Sequence, residues 1–556
     1  MRKVKCDEGR PACNRCISTG RICDGYGIWG GGGNTYGQRK RISEAQEADY
    51  AVIPRPPVSG TNDQGYLEWF KYRTAVKLPG TFRSKFWSTL LLQASYSEPA
   101  VLHAVLALSS IHKRTTVNTD SQSPVDNDPD EQEQFALQNY VKSIKAVSRL
   151  QPRCSIRDRA PFRVALITCV VFVCMELLRG HFETAQVHLR NGITILRDMK
   201  LLSSRSDVAA RLKYHRELPD DWIVEAFSRL HLQLELFQYN YDHSSLCRQG
   251  TWYEPPVDIF HALPDAWKEL GRQFSGIFHL ARRARQQATS GCTIDEQIEL
   301  LESQQRIQTA LSQWLVTWKA FKRSRGRMPE EYDTAFQVVH IHQVMATIMV
   351  DTCLEPNDET VFDSHTSRFL YLLTQLITLH DTGAPKTLPR NLLDMEHSVA
   401  DQGWISSLWF VATKCRVHRI RHHAIRLLES TSHREGIWDS KTTACVAKKV
   451  AEVEERDFFD NLGTDDKFAL HAIPTEQDLE VSFSPLLPGA YRLREVEVVL
   501  PGAPMDRILL FCKKRIDGID CRVLLSEYSV HLQRWNDRED SEATISDISQ
   551  AAIPED

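Results

Sequence analysis

The sequence predicts an all-α protein, in which a large helical domain follows a small cysteine-rich module. Three observations support this prediction. Apolar residues recur at three- and four-residue spacing from about residue 63 onward, no regular run of alternating strands is evident, and four cysteines lie within the first 23 residues. The chain has 556 residues, of which 42% are hydrophobic and 25% are charged, so it contains enough apolar material for a large core.

The first helices are predicted from a proline position and from apolar periodicity. Pro99 suits a first helical position. The run after it would place apolar residues on nearly every side of a helix, which is typical of a buried helix. The most apolar run, at 164–178, contains Glu176 and is shorter than the roughly 18 residues that a membrane helix needs. We therefore expect a buried core helix here, with its end at Arg179-Gly180.

Helical periodicity also covers much of the second half of the chain. Asp220 and Asp221 are expected to cap a helix that carries Phe227 and Leu230 on its apolar face. The further predicted helices lie at 273–288, 293–324, 330–355, 365–380, 400–429 and 505–535. The run at 491–500 is ambiguous between helix and strand.

Composition divides the chain into four parts. Residues 1–29 form the cysteine-rich module, and residues 30–62 form a linker that is rich in glycine and proline and carries a basic run. Residues 63–536 form the helical domain. Residues 537–556 hold seven acidic residues against Arg538 alone, so we expect a disordered acidic tail.

Charge is distributed unevenly along the chain. The first 43 residues carry nine lysines and arginines against three acidic residues, which gives +6 and leaves about −10 for the remainder of a chain of net charge −4. A basic head on an acidic body is expected of an arm that binds a polyanion. The run Arg39-Lys40-Arg41 is compatible with a nuclear import signal or with extra phosphate contacts, although short basic runs are often only solvated.

The four N-terminal cysteines follow an ordered spacing, Cys6-x6-Cys13-x2-Cys16-x6-Cys23. Thiolate is a soft anionic ligand that suits zinc, and a two-residue gap lets two sulfurs reach one ion. The N-terminus lacks the apolar stretch of a secretory signal, so reduced thiols are expected. We predict zinc ligands at these four positions, with metal binding supplying the folding free energy of so short a segment.

This segment, MRKVKCDEGRPACNRCISTGRICDGY, resembles the fungal zinc binuclear cluster family, whose six cysteines hold two zinc ions. The resemblance implies that the basic stretch before Cys6 is a short helix, placed in the major groove of double-stranded DNA over a CGG-type triplet. It also implies that Lys3 occupies the position of the family's base-reading lysine, with Arg2 as its neighbour among the DNA contacts. The residues better placed for phosphate contacts are Lys5, Arg10 and Arg15.

The segment departs from the family pattern at its beginning. Its four cysteines match the family's third to sixth ligands, and the first two would lie upstream of Met1, so this chain by itself does not complete the binuclear cluster. We favour the hypothesis that the start codon or an upstream exon is mis-assigned, because nothing in the remaining half looks degraded. The alternatives are that the protein has lost part of its finger, or that the four cysteines hold a single zinc ion.

Several body segments resemble the fungal-specific transcription factor domain, namely 86–112, 135–150, 165–198 and 224–237. The resemblance covers about 63–240 and implies an all-helical domain with regulatory, effector-responsive or dimerisation roles. The chain is then expected to be a nuclear, zinc-dependent, sequence-specific regulator of RNA polymerase II genes, and neither an enzyme nor a membrane protein. Its further partners would be a second copy of the chain, the transcription machinery and a small effector of unknown identity.

Two other functions are compatible with the sequence. A chain with this body and no working finger would act through protein interactions, and a failure to bind CGG-containing DNA would distinguish it. All-helical magnesium-dependent lyases also hold diphosphates with acidic clusters, such as Asp220-Asp221 with Glu225. The sequence offers no second metal-binding motif of that kind, and helix capping explains the aspartates more simply.

The remaining cysteines and histidines are expected to be structural. Cys169 and Cys174 lie in the most apolar run and should pack as small hydrophobes. His418 and His422 are four residues apart, but their motif, HRIRH, lacks the glutamate of a zinc protease and places arginines beside the histidines. The other histidines with this interpretation are His181, His188, His340 and His342.

Overall fold

The computed structural model describes residues 60–80, 82, 84–117, 131–150, 159–199, 219–237, 257–291, 293–325, 330–383, 401–459, 468–475, 486–502, 507–516 and 519–537. The chain divides into two compact units. One contains residues 1–179 and 185–228, and the other contains residues 180–184 and 229–556. Helices account for most of the described residues in both units, so the all-α prediction is confirmed. The boundaries of the four predicted parts of the chain stay predictions.

The first unit is built around one central helix. Its helical elements, in chain order, are α1 (Thr61–Trp69), the π-helical turn Phe70–Thr74, the short helix Ala75–Lys77, the π-helical turn Phe86–Leu90, α2 (Leu91–Ser97), α3 (Pro99–Val117), α4 (Glu131–Ser148) and α5 (Ala160–Arg179). The central helix, α3, begins at the predicted Pro99 and contacts α1, α2, α4 and α5. Residues on all its sides are buried, as its apolar sequence predicts.

The buried core helix that the sequence predicts is α5. By length and composition alone it is the one helix among the described residues that could cross a membrane, but 78% of its most apolar window is buried inside the protein. Its buried Glu176 binds Arg179 at 2.9 Å, and Arg179 also reaches Glu133 of α4 at 3.1 Å. The helix ends at Arg179, and Gly180 follows with a φ of +79°, a conformation that favours glycine.

Two further helices follow, α6 (Phe182–Asp198) and α7 (Pro219–Phe237). The amphipathic pattern predicted for α6 is confirmed, because Ala185, Leu189, Ile193 and Leu196 are all buried. The capping prediction for α7 is wrong. This helix begins at Pro219, so both aspartates lie within its first turn and not at the cap position before it.

The helices of the second unit are α8 (Leu263–Ser290), α9 (Ile294–Ser324), α10 (Glu330–Thr352), α11 (Thr366–Gly383), α12 (Ile405–Lys414), α13 (His418–Glu429) and α14 (Ser440–Glu455), with 3₁₀ turns at Glu359–His365 and Gly489–Tyr491. The predicted helices from 273 to 380 are confirmed. The predicted helix at 400–429 is two helices, because Cys415 and Val417 have extended backbone conformations between α12 and α13.

The predicted helix over 505–535 is wrong. This region forms strands, and they join one antiparallel sheet of order β3 (Arg494–Val499), β4 (Arg507–Ile516), β5 (Ile519–Ser529) and β6 (Arg534–Asp537). Strand β4 pairs with β5 along its whole length, with a register shift at Leu510/Phe511. A separate two-stranded hairpin pairs β1 (Arg434–Glu435) with β2 (Trp438–Asp439) just before α14.

Burial along β4 shows why this region is a sheet. Ile508, Leu510 and Cys512 are buried and alternate with less buried residues, which is the two-residue period of a strand with one covered face. That face packs on Val446 and Val450 of α14. The apolar residues are frequent enough in this short region to match helical spacing as well, so periodicity alone misassigned it.

Candidate nucleic-acid module and the buried charge network

The predicted DNA-binding module lies outside the described residues. The metal ligands predicted there are Cys6, Cys13, Cys16 and Cys23, and the DNA contacts predicted there are Arg2, Lys3, Lys5, Arg10 and Arg15. The basic run of the linker and most of the acidic tail also lie outside the described residues. The donor set itself fits zinc, because four thiols at this spacing provide the soft anionic ligands that the ion prefers.

In the second unit, a cluster of charged side chains is buried where α12, α13 and α14 meet. Arg421 of α13 is fully buried, and its two terminal nitrogens bind Glu454 and Glu455 at the end of α14. Its Nε atom donates to the carbonyl oxygen of Ala412 in α12 at 2.9 Å. Every nitrogen of this guanidinium therefore has an acceptor, which is the condition for burying a charge without a large loss of stability.

A second arginine extends this charge network. Arg416, also buried, lies 2.8 Å from Glu454 and 3.2 Å from Glu359. Lys414 binds the other side of Glu359 at 2.6 Å, and the backbone nitrogen of Leu493 donates to Glu454 at 2.8 Å. The network thus connects α14 to the residue just before the first strand of the sheet, β3.

The network stabilises the ionised forms of Glu454 and Arg416. Burial alone would raise the pKa of Glu454, but the nearby guanidinium groups of Arg416 and Arg421 outweigh it and hold that pKa below its usual value. The pKa of Arg416 is raised because the attraction of Glu454 and Glu359 exceeds the effect of burial. Three cations, Lys414, Arg416 and Arg421, face three anions, Glu359, Glu454 and Glu455.

Two histidines complete the cluster. Nδ1 of His418 lies 3.0 Å and Nε2 of His422 lies 2.9 Å from the same oxygen of Glu455, Oε2. Burial would raise the pKa of Glu455, but the hydrogen bonds from both histidines and the charge of Arg421 lower it strongly. The expectation that these histidines are merely structural therefore missed their convergence on one carboxylate.

Another buried carboxylate, that of Glu435, binds the start of α12. It accepts from the backbone nitrogens of Gly403, Trp404 and Ile405 at 2.9, 2.7 and 3.1 Å. The nitrogens of Trp404 and Ile405 are among the donors that a helix N-terminus leaves without a partner inside the helix, so the negative charge lies at the positive end of the helix dipole. A Cβ atom at Gly403 would lie 2.3 Å from Oε1 of Glu435, so this close approach requires glycine.

Asp220, which belongs to the acidic cluster that suggested a lyase, has a structural role. Its carboxylate binds Arg163 of α5 at 2.5 and 2.8 Å, and Arg159 lies 3.8 Å away. Among the described residues, the groups of three or more side chains close enough to share one metal ion do not include Asp220, Asp221 or Glu225.

Five of the other cysteines and histidines that the sequence singles out have neighbours that account for them structurally. Burial raises the pKa of the Cys169 thiol to about 12, and Cys174 is also buried, which agrees with the packing role predicted for both. His188 lies 2.7 Å from the Tyr140 hydroxyl, and buried His342 lies 2.8 Å from the carbonyl oxygen of Val338. His340 lies 3.2 Å from the Tyr371 hydroxyl.

Comparison with known families decides the identity of the body. Residues 72–450, which are more than half of the chain, match the model of the fungal specific transcription factor domain. The chain belongs to this family. Residues 1–28 match the fungal Zn(2)-Cys(6) binuclear cluster domain, so zinc is the cofactor of the N-terminal module. Together the two matches identify a DNA-binding transcription regulator, and both resemblances predicted from the sequence are confirmed.

Two curated fungal proteins resemble this transcription regulator along much of their length. An aspercryptin biosynthesis cluster-specific transcription regulator of Emericella nidulans is 24% identical over 548 residues, which cover 82% of this chain and 86% of that protein. A transcription regulator of Purpureocillium lilacinum is 26% identical over 253 residues, which cover 41% of this chain and 55% of that protein. No solved structure matches the chain.

Proposed function

We propose that this transcription regulator recognises a CGG-type triplet through its N-terminal basic stretch. Cys6, Cys13, Cys16 and Cys23 would hold zinc, which keeps the short segment folded. Lys3 and Arg2 would contact base edges. The proposed phosphate contacts are Lys5, Arg10 and Arg15. The observation that carries this proposal is the match of residues 1–28 to the binuclear cluster domain, in a segment whose basic residues surround the cysteines.

The charge distribution supports this assignment of roles. The basic arm would be attracted to the phosphate backbone, while the acidic remainder would be repelled from it, so binding energy concentrates at the N-terminal module. Phosphate contacts supply affinity that falls with salt, whereas base-edge contacts distinguish one sequence from another.

The helical domain at 63–536 would then control the module instead of catalysing a reaction. Both relatives are named as transcription regulators, and Asp220 is bound by arginines, so the lyase alternative has no support in the described residues. We further propose a nuclear location, action on RNA polymerase II genes, and self-association or contact with the transcription machinery through this domain.

Binding of the full chain to short duplexes tests the proposed DNA contacts. We expect Lys3→Ala to weaken binding to a CGG duplex by about 1–3 kcal/mol and to reduce the preference over a scrambled duplex. Lys5→Ala should weaken both duplexes alike and lower the salt slope by about one. Fluorescence anisotropy at several salt concentrations measures both effects.

Two controls make this experiment specific. Lys71→Ala removes the same charge from an exposed position in the π-helical turn Phe70–Thr74, and it should leave DNA binding unchanged. Chelation of zinc should abolish the preference for CGG. Equal losses on both duplexes for Lys3→Ala would contradict its proposed role, and absence of any zinc-dependent binding would favour the alternative of a regulator without a working finger.

A further inference from the structure

In the second unit, one nitrogen of each of two histidines lies close to the same carboxylate oxygen of a glutamate. His418 begins α13, His422 lies one turn later, and Glu455 ends α14. One ligand atom of each residue lies within 4.8 Å of the other two. From this convergence we infer that His418, His422 and Glu455 form a second metal site. This site would bind Zn²⁺, or a divalent metal ion with similar ligand preferences, independently of the N-terminal cysteines.

The distances suit such an ion. Zinc bonds of about 2.0–2.1 Å to nitrogen and oxygen place the ligands of a tetrahedral site about 3.3 Å apart. Here the two nitrogens lie 3.0 and 2.9 Å from Oε2 of Glu455 and within 4.8 Å of each other, so a bound ion would move each nitrogen a few tenths of an ångström away from the oxygen. Two imidazoles and one carboxylate form a common donor set for zinc and leave a fourth position for water.

Burial and access also fit a bound ion. The side chains of His418 and Glu455 are only 9% and 10% exposed, whereas that of His422 is 29% exposed. The ring of Phe459 packs on His418 with ring centres 4.6 Å apart. The ion would thus be shielded on the His418 side, and solvent would reach it along His422.

The sequence places arginines beside the two histidines, which would disfavour a bound cation by charge repulsion. In the structure, both arginines have other partners. Arg421 binds Oε1 of Glu455 at 3.1 Å, which leaves Oε2 directed at the histidines, and its charge is shared with Glu454. The guanidinium of Arg419 lies over the Phe468 ring at 3.3 Å from its centre. Arg421 is therefore a positioning residue, because outer groups that orient a ligating carboxylate strengthen metal binding.

Another candidate cluster lacks this support. His380, Asp381 and His471 also come close enough to share an ion, but the side chains of Asp381 and His471 are 37% and 65% exposed. Solvated side chains must be ordered by the ion itself, which weakens binding. This exposed cluster provides a matched control for the buried site.

The inferred site would fasten α13 to α14. The ion would replace the two hydrogens that the rings now direct at Glu455, and each ring would carry its proton on the other nitrogen. A metal bound only in the folded state raises stability by mass action. Zinc should therefore raise the melting temperature of the chain even when the N-terminal cluster is absent.

Metal binding to the full chain tests this inference. The N-terminal ligands are first removed by replacing with serine Cys6, Cys13, Cys16 and Cys23. After dialysis at micromolar free zinc, we expect elemental analysis to find about one zinc ion per chain. His422→Gln in this background should lower zinc affinity at least tenfold, and circular dichroism should show that its helix content is kept.

The matched control is His471→Gln in the same background, which should leave the zinc content unchanged. The inference is overturned if the four-serine chain retains no zinc and its melting temperature does not respond to the metal. It is also overturned if zinc content falls with His471→Gln and not with His422→Gln. In either case the three side chains form only a hydrogen-bonded group.

Discussion

Replacing Glu454 with glutamine is expected to destabilise the second unit by about 3 kcal/mol. Removing one partner of a buried ion pair generally costs about 3–5 kcal/mol, because the remaining charge stays buried. In this network Arg416 would still bind Glu359 at 3.2 Å, and Arg421 would still bind Glu455 at 3.1 Å. These remaining partners place the expected loss at the lower end of that range.

Urea unfolding followed by circular dichroism measures this loss. The matched control is Glu429→Gln, which removes the same charge from an exposed pair with Lys448, where side chains are 44% and 68% exposed. That change should alter the free energy of unfolding by less than about 1 kcal/mol. Similar effects of the two substitutions would refute the reasoning, because burial would then not determine the cost.

The same substitution has a defined pH dependence. The pKa of Glu454 is lower in the folded protein than its ordinary value of 4.5, so the unfolded chain takes up the proton first as pH falls. The stabilisation by Glu454 is therefore complete above about pH 5 and is lost progressively in acid. The difference between the wild-type chain and Glu454→Gln should shrink below that pH, and a constant difference would contradict the proposed ionisation.

Four further substitutions test other parts of the structure. Glu435→Gln should cost about 1–3 kcal/mol in urea unfolding, because the α12 N-terminus loses its negative partner. Gly192→Ala should cost about 1–3 kcal/mol, since its Cβ would lie 2.2 Å from the Phe227 ring, and Gly271→Ala, with open space around it, should cost nothing. Burial and the charge of Lys77 lower the pKa of His112 to about 3, so this residue should contribute about 1.4 kcal/mol per pH unit to the loss of stability below about pH 6, and the pH dependence should be less steep in His112→Gln by that amount.

Much of the helical framework was predictable because its signals are local. Pro99 and Gly180 mark the ends of α3 and α5 through backbone preferences that need no distant partner. The sheet at 494–537 was not predictable in the same way. Its apolar residues fit two periods, and only the packing of β4 on Val446 and Val450 selects the strand.

The candidate sites also differ in how far the sequence predicts them. The four zinc ligands were predicted from cysteine spacing and the basic arm from local charge, because both signals lie within a few neighbouring residues. The convergence of His418, His422 and Glu455 was missed. The histidine pair was visible as an i, i+4 motif, but the glutamate lies more than thirty residues away and no local pattern links it to them.

The amino-acid sequence by itself determined that the protein is mainly helical, that it carries a zinc-binding N-terminal module, and that its first 43 residues carry a net positive charge. These properties follow from neighbouring residues. The tertiary structure decided that Glu454 and Glu455 meet two buried arginines, and that residues 494–537 form a sheet. Burying a charge or one face of a strand is favourable only when residues distant in sequence supply the partner, and only folding brings them together.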